Sequence, residues 1–134
     1  MATSMTEREI LRSVYNTSLN SLQINFLGES IPQFATVELT ESGDVIDAVA
    51  NKKIRVIAMF GSINAVGPDG TIKFQSGGAT DLTGAMLLLS GQFFHLDFNP
   101  RGWFETVAGE KLNMVISNMD AFSGTIIYIE ADPI

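Results

Sequence analysis

Two different hydrophobic periods run along this chain. Near the start, Thr6 can cap a helix and Glu9 stands three residues later, as in a capping box. Ile10, Leu11, Val14 and Tyr15 then fall on one face at a spacing of about 3.6 residues. The pattern predicts a short amphipathic helix, stopped by Asn16-Thr17-Ser18. A helix of about ten residues is marginal by itself in water, so its apolar face must dock on the rest of the chain or on a neighbouring subunit.

From residue 22 the period becomes two. Leu22, Ile24 and Phe26 alternate with Gln23 and Asn25, which predicts a half-buried strand. Gly28 to Pro32 reads as a loop. Phe34 to Leu39 and Asp44 to Val49 read as two short strands around Glu41-Ser42-Gly43, or equally as one extended arm. Ile54 to Phe60 is apolar on both faces except at Arg55, the mark of a central strand. Ile72 and Phe74 alternate with Lys73 and Gln75. Leu82 to Leu89 is a further apolar strand. Phe94, Leu96 and Phe98 alternate with His95 and Asp97. Trp103 to Thr106, Leu112 to Ser117 and Thr125 to Glu130 complete the set.

Glycine and proline punctuate these runs at Gly67-Pro68-Asp69-Gly70, Gly77-Gly78, Ser90-Gly91, Asn99-Pro100-Arg101-Gly102 and Gly109-Glu110. From Lys53 onward, about seven strands at intervals of about 8–12 residues predict an all-β sandwich or barrel, with a jelly-roll-like β-sandwich preferred. The change of period divides the chain into an N-terminal arm with a short helix and short strands (1–50) and a sandwich body (51–134).

Composition narrows the function. The 134 residues carry 15 acidic against 8 basic side chains, a net charge of -7, which disfavours a nucleic-acid backbone as partner. Charged residues are only 17% of the chain, below the roughly 25% usual for soluble domains, so part of the surface is expected to be covered by other chains. Cys is absent and His occurs once, which argues against disulfides and against Cys- or His-based metal sites. Apolar runs are short, Ala85 to Leu89 having 5 residues, where a membrane span needs about 20. Residues 1–9 show no basic stretch leading into an apolar one, so no secretory signal is expected.

Each candidate for chemistry has a plainer competitor. His95 and Asp97 share a strand face and are spaced for a hydrogen-bonded pair, but an exposed strand pair explains them as well. Glu105 and Glu110 are two acids of the kind glycoside hydrolysis uses, yet they flank a turn. Asp44 and Asp47 do not match a calcium-loop spacing, and Ser76-Gly77-Gly78 lacks the lysine and helix of a phosphate loop. Lys52-Lys53-Ile54-Arg55 reads as a solvated strand entry. Trp103-Phe104 reads as an aromatic pair dropped into the core or a subunit interface, and alternatively as a sugar-stacking platform. No enzyme or cofactor is expected from these residues.

Three segments carry a family resemblance: Gly70 to Gly77 with Thr80 to Gly84; Phe98 to Thr106; and Gly109 to Met114 with Ser123 to Tyr128. Together they resemble small jelly-roll virion proteins of tailed bacteriophages, described as head decoration or cement proteins. Glu9 to Asn16 with Ser21 to Asn25 is similar to the start of such proteins, while about 28–50 is unmatched. The resemblance implies a structural subunit that forms a homotrimer, sits on the outer surface of the capsid near threefold positions and binds the major capsid protein. On that expectation Ile10, Leu11, Val14, Tyr15, Trp103 and Phe104 are interface candidates, with residues 1–50 carrying much of the attachment. The alternative is a receptor- or glycan-binding β-sandwich of a tail or fibre, in which Trp103 would be exposed. A cupin-like enzyme would need several His and Glu ligands, and one His does not supply them.

Overall fold

The computed structural model describes residues 31–65 and 69–133. Within them the chain forms ten strands in two antiparallel sheets. The first sheet runs β1 (Gln33–Leu39), β10 (Met119–Ala131), β3 (Lys53–Ala65) and β7 (Phe93–Leu96), with β8 (Phe104–Glu105) also on β3. The second runs β2 (Gly43–Ile46), β9 (Leu112–Ser117), β4 (Asp69–Ser76) and β5 (Thr80–Asp81), with β6 (Met86–Leu89) also on β4.

Connections repeatedly cross from one sheet to the other: β1 to β2, β2 to β3, β3 to β4, β6 to β7, β8 to β9 and β9 to β10. This is the wiring of a jelly roll, the predicted fold class, in which each long strand pairs with partners remote in sequence. The segment 33–46 is not a free arm. β1 pairs with β10 along its whole length, and β2 pairs with β9. Both therefore belong to the sandwich although they precede residue 50. The expected helix bearing Ile10, Leu11, Val14 and Tyr15 lies outside the described residues.

The strand alternation sorts side chains as the pattern requires. Ile72 and Phe74 of β4 are fully buried, whereas Lys73 and Gln75 face outward. Across the sandwich they meet Ile54, Val56, Met59, Phe122 and Ile126, and Leu112 and Met114 join the same cluster. At roughly 1.5–3 kcal/mol for each such side chain withdrawn from water, this cluster is the dominant favourable term in folding.

One irregularity positions the functional surface. Ile127 pairs with Ala58 but Tyr128 pairs with Val56, so Ile57 is an extra residue in β3, a bulge. Its carbonyl accepts from the Asn99 amide (2.8 Å), and the Val56 carbonyl accepts from the Trp103 amide (2.8 Å). The Asn99–Gly102 turn is thereby seated on the bulge. The Asn99 side chain closes it, accepting from the Arg101 amide at 3.0 Å, and Gly102 adopts a φ of 86°.

Three expectations need correction. The strand placed at 82–89 begins at Met86, because the Leu82 amide donates to the Phe74 carbonyl and the Thr83 hydroxyl accepts from the Phe74 amide (2.8 and 3.1 Å), which folds 82–85 across the end of β4. Phe98 was expected to face inward, but β7 ends at Leu96 and Phe98 is exposed. The strand at 103–106 is only Phe104–Glu105.

Candidate functional site

The predicted aromatic pair splits. Phe104 turns inward, its ring 4.8 Å from that of Phe74, and packs against the core. Trp103, one residue earlier, is 47% exposed. Its indole N–H donates to the Asp97 carbonyl at 2.7 Å, which fixes the ring while leaving part of it in solvent.

Trp103 stands at one end of a chain of contacts along the β7 edge of the first sheet. Asp97 faces His95, with Oδ1 3.3 Å from Nε2. The His95 ring lies 5.9 Å from Phe93, inclined 31° to it. Phe93 lies 6.5 Å from Phe60 of β3, inclined 23°. The Phe60 backbone is in register with His95, so these side chains occupy one outer face. Phe93 is 62% exposed and Phe60 45% exposed. The result is a ribbon of neighbouring rings, with Phe60 and Phe93 stacked and His95 tilted against Phe93, continued by a carboxylate and a half-exposed indole.

The sequence pointed to His95, Asp97 and Trp103 but not to Phe60 and Phe93. The apolar run Ile54 to Phe60 predicts Phe60 buried on a central strand, whereas its side chain faces outward. The signal for Phe93 was present, since it shares the face of His95 two residues away.

Exposed apolar side chains also lie elsewhere. Phe34, 73% exposed, points outward from β1, which ends the first sheet among the described strands. On the second sheet, Leu87 and Leu89 of β6 are 64% and 55% exposed, flanking the inward Leu88. Phe34 and the Leu87–Leu89 pair sit on edge strands of different sheets.

The remaining candidates resolve into structural contacts. Glu105 and Glu110 take different partners. Glu105 receives Arg55 Nε at 2.9 Å and Lys53 Nζ at 3.4 Å. Burial alone would raise the Glu105 pKa, but the hydrogen bond and charge of Arg55, with those of Lys53, outweigh it and hold the carboxyl below the usual range. Glu110 accepts from the Ser76 hydroxyl at 2.5 Å. The basic cluster Lys52-Lys53-Ile54-Arg55 is spent on Asp132 and Glu105. Lys73 is taken by Asp81, and Lys111 by Asp44. Among the described residues no three His, Cys, Asp or Glu side chains converge as metal ligands, and no helix is long and apolar enough to cross a membrane.

No family model and no curated protein matches the chain. Among solved structures it is similar to a pilus protein of Bacillus endospore appendages, at 14% identity and a TM-score of 0.42, covering 75% of this chain and 88% of that one. It is also similar to the coat protein of Tobacco streak virus (14% identity, TM-score 0.38, 75% and 87% covered). The Yersinia pseudotuberculosis-derived mitogen matches at 16% identity and a TM-score of 0.30, with 75% and 87% covered. Likeness at this level carries no argument about function, and the fold assignment stands on this chain's own strand pairing.

Proposed function

We propose that this chain is a non-enzymatic virion structural protein: a decoration subunit that stabilises a bacteriophage head from its outer surface by bridging major capsid protein capsomers, as a homotrimer. The observation that carries the reading is the exposure of apolar side chains on edge strands of opposite sheets, Phe34 on β1 and Leu87 with Leu89 on β6. A bridging subunit needs two separate contact surfaces, one toward its own trimer and one toward the shell. Exposed apolar side chains gathered on sheet edges are what such contacts cover. The jelly-roll wiring suits the role because its two sheets present two independent outer faces on a rigid body. The sequence resemblance to phage decoration proteins points the same way, and the acidic surface favours a basic shell patch over DNA.

The test is re-addition of purified protein to heads lacking it, with occupancy counted by cryo-electron microscopy and oligomeric state read by analytical ultracentrifugation. The expected results are trimers and saturable binding that Leu87→Ser/Leu89→Ser reduces at least about tenfold, the equivalent of about 1.4 kcal/mol. A monomer with no affinity for heads at any concentration overturns the reading.

A further inference from the structure

We propose that the strip Phe60–Phe93–His95–Asp97–Trp103 is a binding site for a neutral glycan chain, separate from the surfaces assigned to assembly. Contacts link its five residues in order, from the Phe60–Phe93 rings through the His95–Asp97 side-chain pair to the hydrogen bond that the Trp103 indole donates to the Asp97 main-chain carbonyl.

The chemistry selects the occupant. The stacked Phe60 and Phe93 rings, the tilted imidazole beside them and a half-exposed indole offer faces to the C–H faces of pyranose rings. Asp97, 87% exposed at its side chain, is an acceptor for sugar hydroxyls, and His95, 57% exposed, is both donor and acceptor. A dry protein contact would have to desolvate both of these in the middle of the strip, which costs free energy unless each is matched. A sugar carries apolar faces and hydroxyl edges on the same ring and satisfies both. Charge favours a neutral chain over an anionic one. The strip presents a carboxylate, the protein has a net charge of -7, and Lys52, Lys53, Arg55, Lys73 and Lys111 are each committed to an ion pair, so among the described Lys and Arg side chains only Arg101 of the adjoining turn stands outside one. The pinned indole ring loses little freedom on binding, which favours a preformed site.

Trp103 is the one Trp in the sequence, so its fluorescence reports on this strip alone. The full chain is titrated with neutral linear oligosaccharides, both α- and β-linked glucans, a mannan fragment and an N-acetylglucosamine oligomer, into the millimolar range. The expected result is a saturable change in Trp103 emission with at least one of them. Phe93→Ala and Asp97→Asn should each weaken that binding at least about tenfold, while far-ultraviolet circular dichroism and the unfolding midpoint stay unchanged, because both side chains lie on the surface. Leu87→Ser should leave it intact. A flat titration with every sugar overturns the proposal, as does binding that neither strip variant alters. A blue shift that grows with protein concentration and ignores sugar also overturns it, since a second copy would then cover the strip. None of these outcomes bears on head binding through Leu87 and Leu89.

Discussion

Gly61 of β3 and Gly124 of β10 stand opposite each other across the first sheet, at a separation no side chain could share. A Cβ on Gly124 would lie 2.1 Å from the Phe60 carbonyl oxygen and 2.6 Å from the Gly61 Cα. A Cβ on Gly61 would meet the Phe122 ring at 2.7 Å. The glycine pair lets the two longest strands come together with the Phe122 ring packed against Gly61. Gly124→Ala is therefore expected to cost about 3 kcal/mol or more, since the obstructing atoms are backbone. Gly84→Ala, with nothing within 4 Å, should change stability by less than about 0.5 kcal/mol. Urea unfolding midpoints of the two variants check the contrast.

A second prediction concerns how the sheets are tied at one end. The buried Ser76 hydroxyl donates to Glu110 at 2.5 Å and accepts from the Val107 amide at 2.9 Å, joining the end of β4 to the loop after β8. Ser76→Ala strands the Val107 amide and should cost about 1–3 kcal/mol by denaturant titration. Val107 itself should show faster amide exchange in the variant.

Glu105 supplies a pH-dependent contribution. Its native pKa lies below the ordinary value of 4.5, because Arg55 and Lys53 outweigh the effect of burial. A depressed native pKa stabilises the fold fully above the unfolded value, and that stabilisation fades as pH falls through the native one. The stability gap between wild type and Glu105→Gln should accordingly be constant from neutral pH down to about pH 5 and shrink below pH 4.5, with added salt reducing it throughout. A gap that widens on acidification would contradict the assignment.

The split of the aromatic pair gives a fourth. Phe104→Ala removes a ring packed on Phe74 and should cost about 3 kcal/mol. Trp103→Phe keeps an exposed ring and loses one hydrogen bond to the Asp97 carbonyl, a change of about 1 kcal/mol. Equal costs for the two would mean that Trp103 is also core.

How much of this was legible beforehand varies by residue. Periodicity placed Ile72 and Phe74 inward, and Gly/Pro punctuation located the turns at Gly77-Gly78, Asn99–Gly102 and Gly109-Glu110, because these depend on local dihedrals and on alternation. Local pattern did not settle β1 and β2, whose partners are 83–95 and about 70 positions away, and an isolated seven-residue strand looks the same in an arm as in a sheet. Glu105 and Glu110 looked like a possible pair in sequence, and only folding gave one to Arg55 and the other to Ser76.

The amino-acid order by itself determined a β body with a jelly-roll spacing of strands, short of charge and with no Cys and one His, since period, turn chemistry and composition are properties of short segments. The tertiary structure alone decided that Phe60, Phe93, His95, Asp97 and Trp103 form one exposed ribbon. They come from β3, β7 and the turn seated on the Ile57 bulge, and proximity between such distant segments arises only when backbone pairing and core packing bring them into register.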